Sequence, residues 1–468
     1  MSTINHNNII VEGVPYSKII ELFISHAPNV HGRAKIVGEI SHEEADDFVQ
    51  RVDETFGISI VTSAEGQPKR LFYGMVAGTN LERLTEYSLL TIDLETVSNK
   101  LDAQKKNRTF QSTTKTYSQI LNSLDTVQRS NGTVQVMVTD KPIGSLIMQY
   151  TETDWEFIIR MAAQLGALAF ENIIAKSPQV YIGLPPSSQA KTIQTVQYDH
   201  GRSETAFQSL TSNTPSAASS MREDFATEVV RSYDYVYLGD TVTLNGKSLR
   251  VKAVNAQLVD GILECTYYFA LKSGFAAPAI MNKMASGRMM TGIVKNVEAD
   301  RVQVFLNTID ESYDSGGDWW FPYSTAYSSQ DGSGWYSMPA VGDQVRVFFP
   351  SDHEGEAFAA SSVAKHVRPK ITDKCWRGVN GKQLLMTEEG LIIICKDQKI
   401  YINLTDEKGI EIISDMDINI TSGTRINVQA GEEIKVIAKN EVVVGTASSY
   451  LDIRNDGIIA SAKKIIVT

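Results

Sequence analysis

Residues 401–444 read YINLTDEKGIEIISDMDINITSGTRINVQAGEEIKVIAKNEVVV, and apolar residues recur there at a step of eight, in pairs two apart. The pairs are Ile402/Leu404, Ile410/Ile412, Ile418/Ile420, Ile426/Val428, Ile434/Val436 and Val442/Val444. All twelve positions are apolar and eleven are β-branched, so each pair marks a very short strand whose side chains alternate in and out. Between them sit Asn403, Glu411, Asn419, Asn427, Lys435 and Val443, which face outward; five of the six are polar. Asp415, Gly423 and Gly431 fill the spacers as turn formers. The register slips by one at Leu451/Ile453 and recovers near Ile458.

Such a unit cannot hold itself together. Two inward side chains are worth roughly 1.5–3 kcal/mol each when fully buried, while ordering each backbone residue costs on the order of 1–2 kcal/mol. The strands must therefore stack around a common apolar core. One chain coiled as a β-solenoid meets that need; so do three identical chains wound into a triangular prism. With about 11 strands at roughly 4.8 Å spacing the wound form is a shaft of about 50 Å, and the lone solenoid stands under about 20 Å. Periodicity does not choose between them.

From Gly287 to about His366 the texture is short strands with glycine-rich turns. GIVKNVEADRVQVFL (292–306) gives two strands around a turn. SGGDWWFPYS (315–324) and DGSGWYSMP (331–339) set turn residues beside bulky aromatics. In VGDQVRVFF (341–349), Val345, Val347 and Phe349 share one face. About five strands in some 80 residues predict a small closed barrel of the OB type.

The first 285 residues mix β runs with a few helices. Phe72 to Val76, Leu89 to Leu94 and Val134 to Val138 read as strands. Ala45, Phe48, Val49 and Val52 fall at helical spacing, as do Tyr117, Ile120, Leu121 and Leu124. In TETDWEFIIRMAAQLGA (151–167), Thr153 and Glu156 form a capping box. Trp155, Ile158, Ile159, Ala162 and Leu165 make the buried face, and Gly166 suits a left-handed end. Residues from about Gly201 to Ser220, rich in Ser, Thr and Ala, read as a long exposed loop.

Composition bounds the function. The 468 residues carry 44 basic and 55 acidic side chains, net −11, which argues against a nucleic-acid backbone as partner. No apolar run approaches the roughly 18 residues of a membrane span, and MSTINHNN does not read as a signal peptide. Cys265, Cys375 and Cys395 form neither a disulfide framework nor a zinc spacing, which fits synthesis in a reducing cytoplasm.

Four stretches, in order, resemble the VgrG and phage late-control-D proteins. QYTETDWEFIIRMAAQLGALAFE (149–171) is similar to the family's Thr-Asp-Trp/Phe helix running to a glycine. LDAQKKNRTFQSTTKTYSQILNSL (101–124) is similar to its Arg-x-Phe strand and following helix. GIVKNVEADRVQVFL and then GWYSMPAVGDQVRVFF (334–349) resemble its spike barrel, and the eight-residue repeat resembles its needle. The resemblance implies a mainly β chain with a few helices in three parts. These are a hub of two tube-protein-like β-barrels over 1–285, an OB-fold barrel over 286–367, and an intertwined trimeric β-helix needle over 368–468. It implies a structural, non-enzymatic homotrimer, the central spike of a contractile injection machine: a phage tail, tailocin, extracellular particle or type VI secretion system. Its partners would be a hexameric tail-tube protein on the hub, baseplate proteins and the target envelope, with no nucleic acid. The twelve repeat residues would then form the trimer core.

The departures from that family shape the expectation. His366 to Lys382 is too short for the lysozyme domain that some phage relatives insert, and the chain ends at IIVT without an effector domain. No histidine follows His366, so the iron-binding His-x-His tip of some relatives has no counterpart, and a separate tip-capping protein is expected. No cofactor and no metal are expected; the seven histidines are scattered, without HExxH.

Other residues have sharper and blander readings. Glu152 and Asp154 resemble an acid/base pair, but their position favours helix capping. His200, beside Gly201 and Arg202, has no nucleophile or carboxylate pattern around it. Trp319, Trp320, Trp335 and Tyr336 have the chemistry to stack sugars or bases, but their place favours core or interface. Lys105, Lys106 and Arg108 read as a solvated strand end, with docking to an acidic neighbour as the alternative. Two rival functions remain: a glycan-binding or depolymerising β-solenoid tail fibre, and an OB-fold nucleic-acid binder. The outward repeat residues offer the first no pair of acids, and the charge balance opposes the second.

Overall fold

The computed structural model describes residues 3–466 apart from 54, 65, 188–189, 214–220, 363–369 and 396–398. It separates two compact units, Met1–Lys365 and His366–Thr468. The architecture is mainly β.

The first unit begins with β1 (Ile9–Val11), β2 (Lys18–His26), β3 (Arg33–Ile40), α1 (His42–Arg51), β4 (Gly57–Thr62), β5 (Lys69–Arg83) and β6 (Ser88–Glu95). Their alternation is strict: Ala34, Ile36, Gly38 and Ile40 of β3, like Leu90, Ile92 and Leu94 of β6, are buried while the residues between them reach solvent. Helix α1 lays Ala45 and Phe48 on this core; Val49, expected on the same face, is exposed.

A connecting layer follows, of β7 (Lys106–Phe110), α2 (Tyr117–Asn122), α3 (Asp125–Arg129), β8 (Thr133–Val136), β9 (Ile147–Glu152), α4 (Asp154–Gln164), β10 (Ala169–Glu171) and β11 (Gln179–Ile182). The single helix expected at Tyr117 to Leu124 is instead two short ones. Leu124 stays buried but leaves the helical conformation to begin α3. Their apolar residues join Trp155, Phe157, Ile158 and Met161 of α4 in a second core.

The chain then returns to the first sheet through β12 (Gln197–Arg202), α5 (Glu204–Asn213), β13 (Ala226–Ser232), β14 (Thr241–Leu244), β15 (Lys247–Val259) and β16 (Ile262–Ala270). The long loop expected from Gly201 is, up to Asn213, the end of a strand and a helix. Phe207 anchors that helix against Phe225, an apolar contact outweighing weak local propensity; residues 214–220 lie outside the described ones. The sheet order is β1-β4-β5-β6-β3-β2-β15-β16-β13-β12, so a β2–β15 pairing joins the first run of strands to the last.

Strands β17 (Arg288–Glu298), β18 (Arg301–Phe305), β19 (Phe321–Pro322), β20 (Gln344–Phe349) and β21 (Phe358–Ser362) form a sheet in the order β19-β18-β17-β20-β21. Its ends meet, because Tyr323 bridges Ala359 and the Ser324 N–H donates to the Ala359 carbonyl over 2.8 Å. That closes a barrel around Val294, Val302, Val304, Val345, Val347 and Phe349.

The second unit contains β22 (Lys374–Arg377), β23 (Gln383–Met386), β24 (Gly390–Ile394), β25 (Tyr401–Thr405) and β26 (Gly409–Ile413) as one antiparallel meander. A second meander holds β27 (Glu441–Thr446), β28 (Ser449–Arg454) and β29 (Gly457–Ser461).

Candidate functional site

The repeat occupies the second unit, and there its apolar residues have no interior. Directly opposed residues of an antiparallel pair share a face. The registers Trp376↔Leu384, Leu384↔Ile393, Ile393↔Ile402, Ile402↔Ile412 and Leu404↔Ile410 therefore line one face of the meander with apolar side chains, with Lys374 at its margin opposite Met386. Ile393 is 47% exposed, Ile410 72% and Ile412 58%. Asn403 and Glu411 lie on the reverse face, where the Asn403 amide donates to Glu411 Oε2 over 3.2 Å.

Residues 414–440 take part in no strand, although they keep the eight-step pairs. Ile418, Ile420, Ile426, Val428, Ile434 and Val436 are all exposed by half or more. In β27 and β28 the registers Val442↔Ile453 and Val444↔Leu451 restore a shared face. The one-residue slip at Leu451/Ile453 is thus the turn of a hairpin, and the apolar set does not change sides.

A second feature surrounds α4. Thr153 and Glu156 cap it reciprocally, as the sequence requires, and Gly166 takes φ +70° behind it. The unexpected residue is Arg160, which is 2% exposed. Its Nε and Nη2 donate to Glu152 over 2.6 and 2.8 Å, Nη1 donates to Glu354 over 2.9 Å, and Nη2 also reaches the Met148 carbonyl at 2.7 Å. Burial pushes the Glu152 carboxyl up, against the pull of Arg160. Glu354 lies between strands β20 and β21 of the barrel, so one guanidinium ties α4 to the barrel. Strand β7 makes a second seam: Thr109 donates to Asp310 through N–H and hydroxyl, each over 2.6 Å, and Gln111 Nε2 donates to the Val304 carbonyl.

These bonds correct several expectations. Glu152 is the counter-ion of Arg160, not a cap. Asp154 is fully buried and accepts from Arg108, Thr126 and Gln149. Neither carboxylate is available as an acid/base pair. Lys105 is exposed as expected, whereas Lys106 and Arg108 are half-buried and both donate to Asp125 of α3, over 3.2 and 2.9 Å; their acidic neighbour lies within the chain. His200 Nδ1 sits 2.8 Å from Glu228 Oε2 on the outermost hub strand. Trp319 packs edge-on against Phe321, whereas Trp335 and Tyr336 are exposed on the loop before β20. Among the described residues no group of three or more His, Cys, Asp and Glu side chains could hold a metal ion, and no helix is long and apolar enough to cross a membrane.

Sequence reasoning also missed a buried polar chain. Glu171 accepts from the Gly32 N–H and from the Thr96 and Ser98 hydroxyls. His26 Nε2 lies 3.7 Å from Glu171 Oε1. Burial lifts Glu171 from its ordinary 4.5 to about 7 and drops His26 to about 3. Nothing in the local sequence marks these residues, which meet only through the packing of three separate strands and loops.

The arrangement has relatives among solved structures. The E. coli c3393 protein is described as a component of the type VI secretion system, with structural similarity to the T4 bacteriophage tail proteins gp27 and gp5. It superposes with a TM-score of 0.54 at 12% identity, over 76% of this chain and 99% of its own. The Francisella PdpA-VgrG complex in its half-lidded form gives 0.54 at 10% identity, over 88% of each chain. The fold is that of a VgrG-like hub and spike. A family model described as the Alg8 N-terminal domain matches residues 6–209, less than half of the chain. No curated protein matches the sequence.

Proposed function

We propose that the chain is the structural, non-enzymatic central spike of a contractile injection machine, assembled as a homotrimer. The observation that carries this reading is the exposed repeat. A face of Ile, Leu, Val and Trp side chains, continuing through 414–440 where the backbone has no strand partner, has two unmet needs: apolar burial and ladder hydrogen bonds. Two sister copies supply both, with the pairs from Ile402/Leu404 to Val442/Val444 turned to a shared axis. A solitary solenoid would bury its own repeat, so the exposure counts against the glycan-active tail fibre.

The trimer then acts mechanically. The needle is stiffened by an inter-chain ladder around a dry β-branched core, and recoil passes through the barrel and the Arg160 clasp into the hub. The hub would seat on a hexameric tail tube among baseplate proteins, with a separate protein capping the tip. The particle would be assembled in a bacterial cytoplasm and act on a target envelope. Light scattering of the intact purified chain tests this: a mass of three chains at micromolar concentration is expected, and a monomer refutes the reading.

A further inference from the structure

The hairpin between β2 and β3 is anchored from inside the molecule. Asn29, at φ 64°, exchanges two bonds with Ala169 of β10: its N–H donates to the Ala169 carbonyl and its Oδ1 accepts from the Ala169 N–H, each over 2.8 Å. Gly32 donates its N–H to Glu171, and its carbonyl accepts from the Thr96 N–H over 3.0 Å. A side chain at Gly32 would press on Glu171, Ile173 and Thr96. His31 sits between these anchors. Its ring lies on the Trp155 indole, centroids 4.6 Å apart, and with Asn29, Arg33, Asp102 and Trp155 it lines a cavity of about 400 Å³.

The bonds behind His31 fix which of its nitrogens carries the proton. Ser98 is buried and donates its hydroxyl to the Glu171 carboxylate. The Ser98 oxygen is then left to accept, so His31 Nδ1, 2.7 Å away, is the donor. A neutral imidazole protonated on Nδ1 carries a bare lone pair on Nε2. That atom is buried without a hydrogen-bond partner and faces Asp102 Oδ2 at 3.5 Å. Burial holds the imidazole below its ordinary pKa, against the pull of Asp102 and Glu95, so it is neutral at pH 7. Two acceptors therefore stand side by side, and among the described residues no donor lies between them. Arg33, the cation at the rim, donates through Nε to Glu95 instead, over 3.0 Å.

We propose that this pocket binds a guanidinium group, which donates one N–H to His31 Nε2 and another to Asp102 Oδ2 and lies against the His31–Trp155 stack. Guanidinium suits the site better than ammonium: its donors are paired in one plane, it stacks on rings and it is weakly hydrated. The group is carried by an arginine side chain of a partner protein or by a free small guanidine. The site is coupled to Glu171 behind it. As pH falls through about 7, Glu171 takes up a proton and donates a hydrogen bond to Ser98, whose own hydrogen turns to His31 Nδ1. The imidazole proton then sits on Nε2 and donates to Asp102, and the pocket satisfies itself. The other charged or titratable groups along this path are Arg33 and Glu95 at the mouth and His26, neutral, with Nε2 3.7 Å from Glu171 at the inner end.

The test is titration calorimetry on the intact chain with three probes: N-acetyl-arginine methylamide, agmatine, and N-acetyl-citrulline methylamide as the uncharged isostere. At about pH 8 the capped arginine should bind with a dissociation constant of about 1 mM, and the citrulline about tenfold more weakly or not at all. Agmatine bound without capped arginine assigns the site to a free guanidine; capped arginine bound assigns it to a side chain of a protein. Asp102→Asn keeps the oxygen that accepts from Thr153, so thermal unfolding should be unchanged while affinity drops about tenfold. Affinity should also fall about tenfold from pH 8 to pH 6. In Glu171→Gln the Gly32 N–H holds the amide oxygen and the NH2 turns to Ser98, so binding should be weak at both values and the slope lost. Failure of both guanidinium probes, equal binding of citrulline, or full affinity in Asp102→Asn overturns the site. An affinity indifferent to pH and to Glu171→Gln overturns the coupling. None of these outcomes bears on the homotrimer.

Discussion

Strand β20 and residues 418–428 share a period of two: Val345, Val347 and Phe349 are spaced two apart, with Arg346 and Phe348 between them, and Ile418/Ile420 and Ile426/Val428 are spaced two apart around Asn419 and Asn427. In β20 the three apolar side chains are fully buried; in the repeat the four are 51–73% exposed. The difference is what stands opposite. β20 lies between β17 and β21 in a barrel closed by its own chain, whereas the repeat has no second layer to close upon. Alternation shows which side chains seek an interior; it does not show which molecule provides it.

The strongest attempt to break this contrast is Ile426→Asp. In the proposed trimer three carboxylates would then meet at the shared axis without water or partners, and light scattering should show loss of the trimer or of soluble protein. Asn427→Asp, one residue away on the outer face, should keep the trimer. Equal tolerance at both positions would contradict the register.

The clasp probes the opposite case, an interior that the chain builds alone. Arg160→Met leaves Glu152 and Glu354 buried without their counter-ion, and about 3–5 kcal/mol should be lost in denaturant unfolding of the first unit. Adding Glu152→Gln and Glu354→Gln should restore part of that loss, with the trimer mass unchanged.

A matched pair of valines sharpens the contrast further. Val347→Ala removes buried methyl groups from the barrel and should cost about 2 kcal/mol in a chain of any oligomeric state. Val428→Ala should leave the unfolding of the first unit unchanged and lower only the temperature at which the trimer dissociates.

The smallest effect concerns pH. Glu171 has a folded pKa of about 7 against 4.5, so it stabilises the first unit below pH 4.5, and that contribution fades as pH rises through 7. His26, at about 3 against 6.5, stabilises above pH 6.5 and loses its contribution as pH falls toward 3. Between about 4.5 and 6.5 the two slopes have opposite sign and offset each other. Thermal melts should therefore be nearly flat across that window. Glu171→Gln should make stability fall as pH drops through it, and His26→Leu should make stability rise.

Much of the molecule is legible without coordinates. The capping box at Thr153 and Glu156, the strands of the barrel and the eight-residue step are local signals, each written within about a dozen residues. The misreadings also have physical causes. Arg108 reads as a solvated strand end because its partners Asp125 and Asp154 are far along the chain, and Asp154 reads as a cap because its position does not reveal Gln149 and Thr126 beside it. The helix at Glu204–Asn213 was hidden because its anchor is a distant phenylalanine and not its own propensity.

Sequence alone determined the periods of this protein, two along each strand and eight along the repeat, because side-chain direction follows from backbone geometry residue by residue. The tertiary structure decided which edges and faces close within the chain and which stay open. Hydrogen-bonded ladders and ion pairs such as Arg160 with Glu354 join residues far apart in sequence, and no local pattern specifies which distant strand or carboxylate will arrive.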